Sequence, residues 1–230
     1  MTPDTATQPK TVTQPKTVFI VDDHPLVREW LTNLINQQPG LRVCGEAESG
    51  PQARERILAL RPDVAIVDIA LKDSSGIELI KDLKQCCPAV AVLVLSMHEE
   101  SHYAERALRA GARGYIMKRE TTRKVIAAIR QVLAGKLCVS EAVAAALASQ
   151  FVEGKTLATR SPVEQLSDRE LEVFEWLGQG RTTRQIAETL RVSVKTVQAY
   201  CARIKEKLNL ASATELLREA VRWHENTHRG

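Results

Sequence analysis

"TVFIVDDHP", residues 17–25, is an apolar β-rich run that ends in two adjacent carboxylates, a histidine and a proline suited to begin a helix. Like charges side by side repel, so the chain should leave the interior there, at the end of a strand. Similar runs recur at "LRVCGEA" (41–47), "DVAIVD" (63–68), "AVAVLVLS" (89–96) and "GYIM" (114–117). Between them lie helical periods at Leu26 to Asn36, Pro51 to Leu60, Gly76 to Gln85, Ser101 to Ala110 and Thr121 to Leu133. Continuous apolar strands spaced by amphipathic helices are what a parallel sheet covered on both faces requires. Residues 17–137 are therefore expected to form an α/β, doubly wound (βα)5 domain.

The rest of the chain is different. Its 230 residues suit two ordinary domains. Residues 1–16, which carry most of a duplicated "TQPKTV", are polar and proline-bearing and are expected to be a disordered tail. They contain no apolar stretch of a secretory signal. The best apolar runs, "AVAVLVL" (89–95) and "AVAAALA" (142–148), fall far short of the ~20 residues a membrane span needs. A cytoplasmic protein without membrane contact is the expectation. Five cysteines make an odd count without a C-x-x-C spacing, which favours reduced, packed thiols over a zinc site or a stapled fold. After Gly135 the strands stop. Residues 138–162 read as a helical linker, "SEAVAAALASQF" followed by small and polar residues, and 163–230 as all helical. Three capping boxes mark helix starts there: Ser167 with Glu170, Thr182 with Gln185, Ser212 with Glu215.

In an open parallel sheet the site lies beyond the carboxyl ends of the strands. Asp22 and Asp23 end the first strand, Asp68 the third, Ser96 the fourth and Lys118 the fifth. Folding thus gathers three carboxylates, a hydroxyl and an ammonium at one edge. Three acids stay ionised together only beside a cation, and hard oxygen ligands suit Mg2+. With a metal and a lysine to neutralise phosphoryl oxygens, one aspartate can act as a nucleophile and hold an acyl phosphate.

"VDDHP", "DVAIVD", "VLVLS" and "GARGYIMK" resemble the receiver domain of bacterial two-component response regulators. The resemblance implies that Asp68 is the phosphoacceptor and that Asp22, Asp23, Asp68 and the Ala70 backbone carbonyl hold Mg2+. It also implies that Ser96 is a switch hydroxyl, that Lys118 contacts the phosphoryl group, and that Tyr115 is an aromatic switch whose ring turns inward as Ser96 moves toward phosphate. The chain departs from the family at Lys72, where proline is usual, and at Arg119, which follows Lys118 where proline is common. The first departure predicts a more mobile loop and the second leaves a peptide isomer open. Ala70 and His98 occupy positions that tune phosphate lifetime in that family. His24 reads as a helix start.

Charge is close to balanced over residues 17–137, whereas Arg191, Lys195, Arg203, Lys205 and Lys207 face Glu206 alone. A helix over about Val194 to Lys207 with that basic face can enter the ~12 Å major groove. Residues 166–210 resemble the LuxR-type helix-turn-helix, and the two resemblances together place the chain in the NarL/FixJ group. By position, Gln198, Ala199 and Ala202 then read bases, while Lys195, Thr196 and Arg203 contact phosphates. Tyr200 stands where histidine is usual. A fourth helix, about Ser212 to Glu225, is implied to mediate dimerisation, with Leu216 and Trp223 as candidates. The implied protein is a transcription factor, not an enzyme, with a histidine kinase, double-stranded DNA and a second copy as partners. Two alternatives stand beside it. A phosphoaspartyl enzyme would want a D-x-D pair, which is absent around Asp68. A pseudo-receiver would regulate DNA binding without phosphate. Whether the receiver covers the recognition helix is open at this point.

Overall fold

The computed structural model describes residues 14–71, 75–152 and 162–228. Of the tail expected to be disordered over residues 1–16, the first thirteen fall outside them, whereas Lys16 begins the first strand. The loop at Lys72, expected to be mobile, and the end of the linker also fall outside them. The first domain alternates β1 (Lys16–Val21), α1 (Pro25–Asn36), β2 (Leu41–Ala47), α2 (Gly50–Leu60) and β3 (Val64–Val67). It continues with α3 (Gly76–Cys86), β4 (Ala91–Ser96), α4 (Glu100–Ala110), β5 (Gly114–Met117) and α5 (Thr122–Leu133). All pairings are parallel, in the order β2-β1-β3-β4-β5. The chain passes from β1 outward to β2 and then back past β1 to β3, so the strand order reverses and the topological switch point lies between β1 and β3. The Val21↔Val67 register sets Asp22 beside Asp68 there, and the Asp68 N–H donates to Val21 O at 2.9 Å.

Alternation along the strands supplies two cores. Val18, Ile20, Val64, Ile66, Leu93 and Leu95 pack under Leu31 and Ile35 of α1 and Val125, Ile129 and Val132 of α5. Phe19, Val21, Ala65, Val67, Val92 and Val94 pack under α2, α3 and α4 on the other face. That second core runs without a break into the C-terminal domain through Val163, Leu166, Leu171 and Phe174.

The linker helix α6 (Glu141–Val152) precedes a 3-10 turn at Pro162–Gln165 and four helices: α7 (Asp168–Gly178), α8 (Thr183–Thr189), α9 (Val194–Lys207) and α10 (Ala213–His228). Ser167 with Glu170 and Thr182 with Gln185 form complete capping boxes. At the third, Ser212 accepts from Glu215 N, but Glu215 reaches the Ala211 amide instead of its own cap. The Lys118–Arg119 peptide bond, open from sequence, is trans. All five cysteines are free, as expected for packed thiols. Among the described residues, no helix is long and apolar enough to cross a membrane.

Candidate functional site

The acidic pocket sits where β1, β3, β4 and β5 end. Asp22, Asp23 and Asp68 are all buried, and Lys118 bridges two of them, with Nζ 2.6 Å from Asp22 Oδ2 and 2.6 Å from Asp68 Oδ2. Burial pushes the Asp68 carboxyl above its usual pKa, and the nearby Asp22 adds to this while Lys118 opposes it. For Lys118 burial alone would lower the pKa, but the charges of Asp68 and Asp22 prevail and raise it. The lysine is thus held as a cation. Ala70 N–H donates to Asp68 Oδ1 at 3.4 Å, placing that loop at the pocket's rim. Gly76, the first residue of α3, makes this approach possible, since a Cβ there would lie 2.0 Å from Asp68 O.

Asp22, Asp23, His24 and Asp68 each offer a ligand atom, all within 4.8 Å of one another. Asp23 Oδ1 is buried yet has no hydrogen-bond partner among the described residues, although His24 Nδ1 lies 2.8 Å away out of alignment. A buried carboxylate oxygen without a hydrogen bond, among other carboxylates, suits a hard cation that takes oxygen ligands. The residues present therefore fit Mg2+. His24, read from sequence as a helix start, does precede α1 as its cap, but it also donates its N–H to Asp22 Oδ1 at 2.9 Å.

Ser96 is fully buried, and its Oγ accepts from His98 N at 3.3 Å. Tyr115 lies nearby. Its ring is already inward, 1% exposed, and its hydroxyl donates to His98 O at 2.9 Å. His98, singled out from sequence, leads to a further layer of residues that no motif announced. His98 Nε2 lies 3.3 Å from Glu172 and Nδ1 3.3 Å from Glu175, both on α7 of the other domain. Tyr103 stacks on His98 with ring centroids 4.6 Å apart and donates to Glu175 at 3.2 Å. Burial would lower the pKa of His98, but the two glutamates push it up to about 10, so it is held as a cation.

Further contacts close the junction. Arg106 of α4 donates to Leu166 O and Val163 O and pairs with Asp168, and Arg169 donates to Leu71 O. His102 stacks on Trp223 at 4.5 Å. Arg191, in the turn before α9, reaches Asp23 Oδ2 at 3.3 Å. The receiver thus grips α7, α10 and that turn and leaves one face of α9 open: Lys195, Gln198, Ala199, Ala202 and Arg203 are exposed. Thr196 is half-buried, with Oγ1 2.7 Å from Ser193 Oγ at the cap of α9. Lys207 is drawn away to Glu170 at 2.6 Å. Of the two candidate dimerisation residues, Leu216 needs correction, whereas Trp223 is half-buried at the junction. Leu216 is 4% exposed and belongs to the core, and Trp223 packs between Phe174 and His102. Leu217 is the exposed leucine of α10.

Comparison with known proteins decides the family. Residues 18–130 match the response regulator receiver domain, and residues 164–220 match the bacterial regulatory proteins of the luxR family. The chain belongs to the NarL/FixJ group of response regulators. This response regulator is 33% identical over 209 residues to the oxygen regulatory protein NreC of Staphylococcus haemolyticus, covering 89% of the chain and 96% of that protein. The RcsB response regulator of Salmonella typhimurium is 25% identical with a TM-score of 0.59, over 91% of this chain and 98% of that one. A further RcsB structure, bound to a promoter in the presence of the phosphomimetic BeF3−, gives a TM-score of 0.57 at 25% identity, over 89% of this chain and 98% of that one. The protein is accordingly a DNA-binding response regulator transcription factor and not an enzyme, and its receiver domain implies a histidine kinase partner.

Proposed function

We propose that Asp68 accepts a phosphoryl group from a histidine kinase or a small phosphodonor, and that this controls dimerisation and sequence-specific DNA binding. The observation that carries the reading is the convergence of Asp68, Asp22, Asp23, Ser96 and Lys118 at one edge of the sheet. Asp68 would be the nucleophile. Asp22, Asp23, Asp68 and the Ala70 carbonyl would hold Mg2+, which supplies positive charge to the phosphoryl oxygens. Lys118, already against Asp68, would follow the added charge of up to about −2.

The next step runs through the chain. A phosphoryl group on Asp68 draws the Ser96 hydroxyl toward it, away from the His98 N–H that Oγ now accepts from. His98 holds Glu172 and Glu175, so a shift of this loop loosens the grip on α7. Release would uncover Trp223 to a second copy, to which Leu217 is already exposed. On DNA, Gln198 would pair with adenine, Ala199 and Ala202 would lie against base edges, and Lys195, Thr196 and Arg203 would hold phosphates. A DNA target and a kinase partner would place the protein in the cytoplasm.

Labelling by acetyl phosphate tests the site. Wild type should be labelled in the presence of Mg2+, and Asp68→Asn should not. Label that persists in Asp68→Asn rejects Asp68 as the acceptor.

A further inference from the structure

Arg191 meets the acidic pocket from the far end of the chain. It follows α8 at φ 52, a left-handed position where a β-carbon is disfavoured and glycine is common. From there its guanidinium Nη1 lies 3.3 Å from Asp23 Oδ2, across 168 residues of sequence. The same short turn carries Ser193, whose side chain caps α9. Asp23 is consequently divided. One oxygen faces the arginine, and the other is buried without a hydrogen bond among the described residues, with His24 Nδ1 2.8 Å away.

We propose that Arg191 is an internal counter-ion of the acidic pocket, so that a divalent cation at Asp22, Asp23 and Asp68 and the docked DNA-binding domain oppose one another at Asp23. The inference rests on the reading of this pocket as a metal site. A dication on Asp23 sets like charges on opposite sides of one carboxylate and takes up the negative charge that attracts Arg191. In a binding linkage the effect is reciprocal: the factor by which docking weakens Mg2+ equals the factor by which Mg2+ weakens docking. Metal loading therefore loosens the turn before the recognition helix, ahead of any phosphoryl group.

Calorimetric titration of Mg2+ into the full chain tests this. Arg191→Ala and Arg191→Gly remove the counter-ion, and glycine suits the left-handed backbone, so at least one should keep the fold. Each should tighten Mg2+ about fivefold, the lower end of ordinary coupling, because the Arg191 side chain is 47% exposed. Arg184→Ala removes the same charge from an exposed arginine that pairs with Glu188, and it should leave the affinity at the wild-type value. Equal affinities in the Arg191 and Arg184 variants, with binding that Asp22→Asn abolishes, would overturn the counter-ion and leave the metal site standing. Wild-type binding that is absent, or that survives in Asp22→Asn, would overturn the metal site and this inference with it.

Discussion

At the scale of single residues, His98 carries the greatest consequence. It is buried between two buried carboxylates, and charges out of water persist only when paired. Its pKa in the docked protein, about 10, exceeds the ordinary 6.5. Its contribution to docking is thus fully present below pH 6.5 and is lost as pH rises from there toward 10. Glu172 and Glu175 act in the opposite sense. Burial would raise them, but His98 holds both below 4.5, so their contribution is present above 4.5 and fades as pH falls below it. Tyr103 stays neutral across the upper window because burial, then Glu175 and Glu172, raise it well above 10. Asp68, which also faces His98, is raised by burial. Docking should therefore weaken from about pH 7 to pH 10. Tryptophan emission, reporting Trp223 against His102, should change over that range in wild type and stay flat in His98→Gln.

At the scale of elements, α3 and α9 are placed for different reasons. The first turn of α3 crowds Asp68, and Gly76→Ala would drive a Cβ into the Asp68 carbonyl. We expect a loss of roughly 1–3 kcal/mol in urea unfolding, the usual cost of overpacking, together with slower phosphorylation. The basic face of α9 should act mainly through phosphates. Lys195→Ala should weaken binding to all DNA sequences and lower the salt slope by about one, whereas Gln198→Ala should relax preference at one base pair. Gel shifts over a range of salt distinguish the two. The elements themselves were legible in the sequence because their causes are local. β2 and β5 have the bounds their apolar runs announced, and two complete capping boxes start α7 and α8. Leu216 was harder to read. Helical periodicity marks an apolar face without saying which leucine meets the core, and here Leu216 turns inward while Leu217 stays out.

At the scale of the whole molecule, the acidic pocket was legible because strand ends converge by topology alone. The junction between the domains was not. Glu172 and Glu175 look like ordinary solvated charges on α7, and only docking brings them to His98, 74 and 77 residues away in sequence. Arg191 and Asp23 meet in the same way. Breaking this junction should therefore alter shape more than fold. Removing one partner of a buried ion pair commonly costs roughly 3–5 kcal/mol, but undocking rehydrates the remaining charges and caps the loss at the docking free energy. Glu172→Gln should extend the scattering profile in solution while each domain keeps its helical signal. An unchanged profile would show that the cluster does not hold the domains together.

The buried glutamates have one more effect once the domains part. In the docked protein His98 and Arg169 neutralise much of their charge. A freed DNA-binding domain loses His98 and carries Glu175 bare on α7, with Glu172 keeping Arg169 of the same helix, while Lys195 and Arg203 line the exposed face of α9. One small body then has an acidic side and a basic side, and the field of a DNA duplex exerts a torque on it. The residues that hold the domain to the receiver would thus, after release, help turn its reading helix toward the groove.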